Sequence, residues 1–440
     1  MKVRLRAVLS LPLILLLAGS IRLADATDLK DTISNLYGGQ GILLEPLPLP
    51  FPSQESRFQA SSLQGLDQLN SQLTSAIGVP SFNSSVGGFL FDIERGVPVQ
   101  TTESLGPLLT ERATTLGARK LDLTFSYTRV NFTKLQGKDL SDLELVFLRD
   151  DANGNGIIDT SGPFSFESDV IRATLSVDLT EDIFALIATY GLTAEWDIGI
   201  VVPVTHIRLH AKSSLTICDQ AARDFLRPQC LDQFGNRVGN RGGTKIGDIP
   251  IHRFGPNSTP PAVSLSDETA VSGGGDETGL GDIILRTKYN FLRHYDDLIP
   301  DMAFLVELKL PTGDEGQLLG TGGTNVTGLL VASKTYARWF TPHVNLGYEI
   351  NTKDTRESAI RYALGFDARV LPELTLAAGI IGRAKPDGTG TGDHIVDLSL
   401  GVKWNPIKSL ILRTNFQIPL DKNSGLRADF IPTVGIEYLF

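Results

Sequence analysis

Methionine and cysteine are nearly missing from this sequence: its 440 residues hold two of each. Two cysteines exclude a disulfide-dense scaffold. Cys218 and Cys230, in "CDQAARDFLRPQC", fit one local disulfide in an exported chain, worth roughly 3 kcal/mol in the chain-entropy picture. His206, His210, His252, His294, His343 and His394 are dispersed, and none completes a zinc set or a nucleophile–base motif. Basic residues are in deficit, 40 Lys and Arg against 50 Asp and Glu, which argues against a nucleic-acid partner. Past residue 118 the chain lacks a strongly amphipathic helical stretch and any further long apolar run. If such a chain crosses a membrane, the remaining option is a closed barrel.

The two ends suggest that a membrane is involved. "MKVRLRAVLSLPLILLLAGSIRLADA" has Lys2, Arg4 and Arg6, then an apolar run from Ala7 to Ala18, then the small-x-small triplet ending at Ala26. This is the pattern of a secretory signal peptide over residues 1–26, and Gly19, Ser20 and Arg22 break the run before it is long enough for a retained anchor. Without residues 1–26 the chain keeps 36 basic and 49 acidic residues, a formal charge of −13. At the other end, "FIPTVGIEYLF" sets Phe430, Val434, Ile436, Tyr438 and Phe440 on one side of an extended strand. A frayed terminus is normally polar, so this one is expected to be paired and covered.

From residue 118 onward the pattern has period two. Leu121, Leu123, Phe125 and Tyr127 alternate with Asp122, Thr124, Ser126 and Thr128. Ile171, Ala173, Leu175, Val177 and Leu179 likewise oppose Arg172, Thr174, Ser176 and Asp178, and Trp196, Ile198, Ile200, Val202 and Val204 form a third apolar face. A long loop over residues 213–279 is expected next, and alternation resumes at "GDIILRTKYNF". Counting to the closing segment predicts about twelve strands, with Val434, Ile436, Tyr438 and Phe440 on the last. Tight turns such as "GLTAE" and "NPIKS" alternate with longer Gly-, Asp- and Asn-rich connections, the asymmetry of outer-membrane barrels. The face opposite the apolar one carries Asp282, Arg286, Lys288, Glu307, Lys309, Glu349, Arg361, Asp367, Arg369, Asp397, Lys403, Arg413, Asp429 and Glu437. So many charges are costly in a dry core, whereas a wet lumen tolerates them. Their mixed signs favour a salt-bridged interior over a selectivity ring.

Residues 27–117 do not alternate. They read as a periplasmic extension or a plug in the lumen, with a disordered leader as the alternative, and residues 118–440 as the barrel. "DANGNGIID" places Asp151, Asn153, Asn155 and Asp159 at the first positions of a calcium loop, yet Gly162 stands where a bidentate Glu is needed. A weak calcium site and a plain Asx-rich turn both remain open. No other cofactor is expected.

"GGFLFDIERGVPVQTTESLGPLLTERATTLGARKLDLTFSYTRVNF", "ATYGLTAEWDIGIVVPV", "GLGDIILRTKYNF" and "LKLPTGDEGQLLGTG" together resemble the outer-membrane transporters named after the meta-cleavage pathway of phenol degradation. The resemblance covers roughly residues 85–440. It implies an integral barrel in the outer membrane of a Gram-negative-type bacterium that passes small hydrophobic or aromatic compounds, with outer-membrane lipid, the barrel-assembly machinery and a small solute as partners.

The expected class is therefore all-β: a transmembrane antiparallel β-barrel acting as a channel or facilitator, not an enzyme. A surface-interaction barrel acting through its external loops is the alternative. A hydrolase is a third reading, for which no Ser–His motif is visible. If the closing strand is the seam, deleting Phe440 should abolish the heat-modifiable band of the folded barrel, while deleting one residue from the loop near Ser424 should leave the band at normal yield.

Overall fold

The computed structural model describes residues 28–37, 104–148, 169–219, 268–293, 299–337, 339–386, 394–407 and 410–439, together with Asp151, residues 154–158 and four short strands at 89–92, 97–100, 245–246 and 249–250. Twelve antiparallel strands close one barrel. They are β1 (Leu121–Leu135), β2 (Asp169–Gly191), β3 (Trp196–Asp219), β4 (Glu268–Leu280, continuing as Ile284–Leu292), β5 (Asp301–Lys309), β6 (Asn325–Ser333), β7 (Phe340–Asn351), β8 (Ala359–Leu371), β9 (Leu374–Ala384), β10 (His394–Ile407), β11 (Leu410–Pro419) and β12 (Ile431–Leu439). Sequence neighbours pair throughout. Closure comes from β12 on β1, with Val434 opposite Tyr127 and Ile436 opposite Phe125.

The alternation becomes two solvents. Phe125, Leu285, Tyr289, Phe304, Leu346, Leu364, Leu400, Trp404, Val434, Ile436 and Tyr438 point outward and are exposed, while Asp122, Thr124, Lys288, Glu349, Asp367, Lys403 and Glu437 are buried on the inward face. Apolar outside and polar inside, on a closed wall, is the arrangement of an outer-membrane β-barrel. On the periplasmic side the turns are tight. At one of them Gly191 lies against residue 117, where a Cβ would stand 1.8 Å from the Gly117 carbonyl oxygen. The Arg119 amide donates to the Gly191 carbonyl at 2.7 Å.

Two features depart from the pattern in the sequence. β2 and β3 contain 23 and 24 residues, so at about 3.3 Å per residue they far outrun an apolar band about 25 Å tall. The parity of the pattern reverses where they leave it. Below the Glu181–Asp182 step, Phe184, Leu186 and Tyr190 face outward and are exposed; above it Ile171, Ala173, Leu175 and Leu179 are fully buried and face inward. The upper part of this wall therefore has a water-soluble sheet's polarity, with Arg172, Thr174, Ser176 and Asp178 outside. The second departure is "ETAVSGGGDETGL". A loop was expected there, but these residues form the upper half of β4, paired with β3 from Thr216 to Val204. Glycine-rich polar residues are poor strand formers, and the long partner strand overrides that weakness.

The upper wall encloses an apolar core built from Leu175, Leu179, Ile207, Leu209, Leu215 and Phe147. A short 3-10 turn (Leu29–Asp31) and helix α1 (Thr32–Leu36) fill it from inside with Leu29, Ile33 and Leu36. Gly273 and Gly275 leave room for this helix: a Cβ on the first would meet Leu36 at 3.3 Å and on the second Leu29 at 3.2 Å. The hairpin Phe89–Asp92 with Val97–Gln100 lies beside β12.

Leu400 sits mid-strand on the lipid face of β10, so Leu400→Arg should cost about 2–4 kcal/mol in unfolding from lipid vesicles. Thr174→Arg, on the outer face of β2 above the membrane, should change stability by less than about 0.5 kcal/mol.

Candidate functional site

Residues 104–117 run inside the barrel in its periplasmic half. Leu105, Leu108, Glu111, Arg112, Ala113 and Leu116 are all buried, and the segment has no strand or helix of its own. Its backbone groups must therefore find partners on the wall, and the inward polar residues supply them. The Leu105 amide donates to Thr375 Oγ1 at 2.8 Å and its carbonyl accepts from Lys403 Nζ at 3.0 Å. Asn345 binds Glu111 at both ends of the amide, accepting from its N–H and donating to its carbonyl at 2.9 Å each. The Ala113 amide donates to Ser333 Oγ at 3.0 Å, its carbonyl accepts from Asn290 at 2.7 Å, and the Leu116 amide donates to Asp197 at 2.8 Å. Seven strands, β3, β4 and β6 to β10, thus hold one irregular segment.

Two adjacent charges anchor it. Glu111 accepts from Arg286 Nη2 at 2.7 Å and from Lys288 Nζ at 3.4 Å, and Arg286 also donates to Glu307 at 2.7 Å. Arg112 reaches the opposite side, where it pairs with Asp367, a fully buried carboxylate that also accepts from Ser104 at 2.5 Å. Neither charge could stay buried without its partners.

Thr110 Oγ1 lies 2.5 Å from His343 Nε2, and His343 Nδ1 lies 3.7 Å from Asp367. This Thr–His–Asp sequence is not a working relay. The histidine–carboxylate gap exceeds a hydrogen bond, Asp367 is occupied by Arg112 and Ser104, and the hydroxyl is itself buried.

A second obstruction lies at the external mouth. The connection over residues 310–324 folds inward, burying Leu318 and Leu319 against Leu29. Asp282 holds it, accepting from the Gly313 amide at 3.1 Å, the Thr321 amide at 2.9 Å and Thr321 Oγ1 at 2.8 Å, with Lys309 at 3.5 Å. The "GLGD" (279–282) and "LPTGDEGQLLGTG" (310–322) stretches, distant in sequence, are therefore parts of one clasp. The 3-10 turn before helix α1 docks on it through the Lys30 amide to the Gly316 carbonyl at 3.1 Å, and Tyr37, just after the helix, donates its hydroxyl to Ser213 at 3.0 Å. Burial pushes the Tyr37 phenol up to about 12.

Most of the remaining inward charges selected from the sequence also meet partners, while Arg413 is buried on β11 with Nε and Nη1 unpartnered. Glu349 binds Arg361 at 2.5 Å and Arg383 at 3.6 Å, Asp397 pairs with Arg427, and Lys403 pairs with Glu437 at 3.1 Å. Arg369 is half-buried near a periplasmic turn. Asp429 is a correction: it lies in the external connection before β12, exposed and paired with Lys422 at 2.9 Å, because the strand starts only at Ile431. The Asp151 carboxylate accepts the amides of Gly154 at 2.7 Å, Asn155 at 3.3 Å and Gly156 at 2.6 Å. This is an Asx-type turn; Asn153 and Asp159 lie outside the described residues, as do residues 1–26, Cys230 and Phe440. Cys218 is at the upper end of β3. Glu111 and Arg112 were not selected from the sequence, although an isolated Glu–Arg pair in "SLGPLLTERATTLG" was the available signal.

Fold and wall define an integral outer-membrane barrel with an occupied lumen. Residues 243–370 match the family model described as "Putative MetA-pathway of phenol degradation". Curated protein sequences give no match. Among solved structures the chain is similar to an outer-membrane channel from Pseudomonas putida F1, at 12% identity and a TM-score of 0.41 over 74% of this chain and 98% of that one. It is also similar to the CymD monoaromatic hydrocarbon channel, at 9% identity and a TM-score of 0.35 over 73% and 89%, and to the P. putida toluene transporter TodX, at 9% and 0.31 over 73% and 89%.

Asp367→Ala would leave the Arg112 guanidinium buried without its carboxylate, a loss of about 3–5 kcal/mol from the docking of the segment. Limited trypsin digestion of the variant should cut at Arg112 or Arg119 while the barrel remains heat-modifiable.

Proposed function

We propose that this protein is an outer-membrane channel for small solutes, apolar and aromatic ones among them, closed at rest by its own N-terminal residues. The observation that carries the reading is the segment 104–117, bound without covalent links across a polar lumen by side chains of seven strands. A barrel that served only as a scaffold could be filled by its own wall. Here the filling is a separate, irregular segment whose ionic anchors are concentrated at Glu111 and Arg112, so it can be released as a unit. The family description supports the solute class: phenol degradation requires small aromatic molecules to cross the outer membrane. On this reading residues 27–117 form the gate, residues 118–440 the conduit, and the chain performs no covalent chemistry.

The wall of β2, β3 and β4 above the membrane favours a second reading, a surface-interaction barrel. Its outward side carries Arg172, Asp178, Arg208, His210 and Asp276 well beyond the apolar band, with His210 and Asp276 at 3.3 Å. That polar face accounts for solubility without requiring a partner.

The double variant Glu111→Gln, Arg112→Gln keeps the size of both side chains and removes both ionic anchors. In planar bilayers its mean conductance should rise several-fold over the wild type, and liposomes carrying it should admit toluene faster. Equal, negligible permeation by both proteins, each shown to be folded by heat modifiability, would reject the channel.

A further inference from the structure

We propose that the lumen wall formed by β11, β12 and β1 carries a subsite for the hydroxyl group of a small organic solute, with Arg413 and Asn415 as donors and Asp122 and Glu437 as acceptors; this rests on the channel reading. The first observation is where unsatisfied hydrogen-bonding capacity collects. Among the described residues twelve buried side-chain nitrogen and oxygen atoms have no hydrogen-bond partner, and seven of them lie on these three adjacent strands; apart from Thr133 Oγ1, near the external end of β1, they are Arg413 Nε and Nη1, Asn415 Nδ2, Glu437 Oε1, Asp122 Oδ1 and Thr124 Oγ1. Arg413 is 6% exposed, and the other four residues are exposed by no more than 2%. Buried polar groups are seldom left without partners, so a cluster of this kind marks a place where something polar binds.

Register brings the group together. Glu437 stands opposite Ile411 on one side and Thr124 on the other, Arg413 is opposite Gly435, and Asp122 is opposite Leu439. Gly435 is required by this arrangement, since a Cβ there would lie 2.9 Å from Arg413 Nε, so the guanidinium lies across the glycine.

The second observation is independent of the first. The hydrogen bonds of segment 104–117 go to β3, β4 and β6 to β10, whereas on β11 its contact is apolar, Leu105 against Ile411. The sector the gate leaves without hydrogen bonds is the sector with the unpartnered atoms.

The chemistry of the ligand follows. Three of the atoms are N–H donors and two are carboxylate oxygens, so a group that both accepts and donates satisfies the site. A hydroxyl does this. A solute carboxylate would face Asp122 and Glu437, and a bare hydrocarbon would leave every group unpaired. Leu105, Ile411 and Leu108, whose side chain fills the space over Gly401, form an apolar shelf beside the polar atoms. The solute is therefore a small hydrocarbon body carrying one hydroxyl.

Benzyl alcohol and toluene are the probes, compared by ligand-detected NMR on the full protein in nanodiscs, with binding to empty nanodiscs subtracted. A hydrogen bond to a charged group supports a preference of roughly tenfold for the alcohol. Arg413→Met and, separately, Asn415→Leu should each bring the two affinities close to parity without changing toluene binding, in proteins verified by heat modifiability. Equal wild-type affinities, as for a wall satisfied by water alone, would overturn the subsite, and so would a preference that survives in both variants. Liposome flux separates the two readings: alcohol-selective binding without flux rejects the channel and keeps the subsite.

Discussion

Every property of this protein depends on the rule that a backbone polar group in hydrocarbon must find its partner within the protein. Twelve strands meet it by closing on themselves, with β12 on β1. Closure also creates an interior that lipid cannot reach, and it is this interior that lets Asp367, Lys403 and Glu437 be buried and paired in a protein whose outer face is Leu, Phe and Trp.

Two departures from a plain barrel have the same physical origin. Above the Glu181–Asp182 step the outside solvent changes from lipid to water, so the favourable sequence for an unchanged strand changes parity. The apolar side chains of β2 turn inward and create a dry core at the external mouth, into which α1 and the 310–324 connection pack. Below that step the interior is polar, and the N-terminal segment that enters it is held by hydrogen bonds and ion pairs instead of apolar packing. The lumen is thus obstructed at two levels by different forces. Electrostatic anchoring at the bottom depends on the pairing of Glu111 and Arg112.

That division suits a conduit for molecules with mixed character. The wall sector of Arg413, Asn415, Glu437, Asp122 and Thr124 is where segment 104–117 contributes no hydrogen bonds, and it lies directly beside the seam that closes the barrel. The strands that complete the fold are therefore also those that leave polar capacity available inside it.

The sequence by itself determined the strand alternation from Leu121 to Tyr438, the number of strands and the inward placement of most charges. These are short-range properties, since a period of two between neighbouring residues states which face meets which solvent. Tertiary structure alone decided that Ile171 to Leu179 face a core and not lipid, because parity cannot tell which side of a wall is wet once the strand leaves the membrane. It decided that "SGGGDETGL" is a strand, because pairing with β3 compensates for poor intrinsic propensity. It also decided the partners of Glu111 and Arg112, which lie more than 170 residues away in Arg286, Lys288 and Asp367 and meet only when the barrel has closed around them.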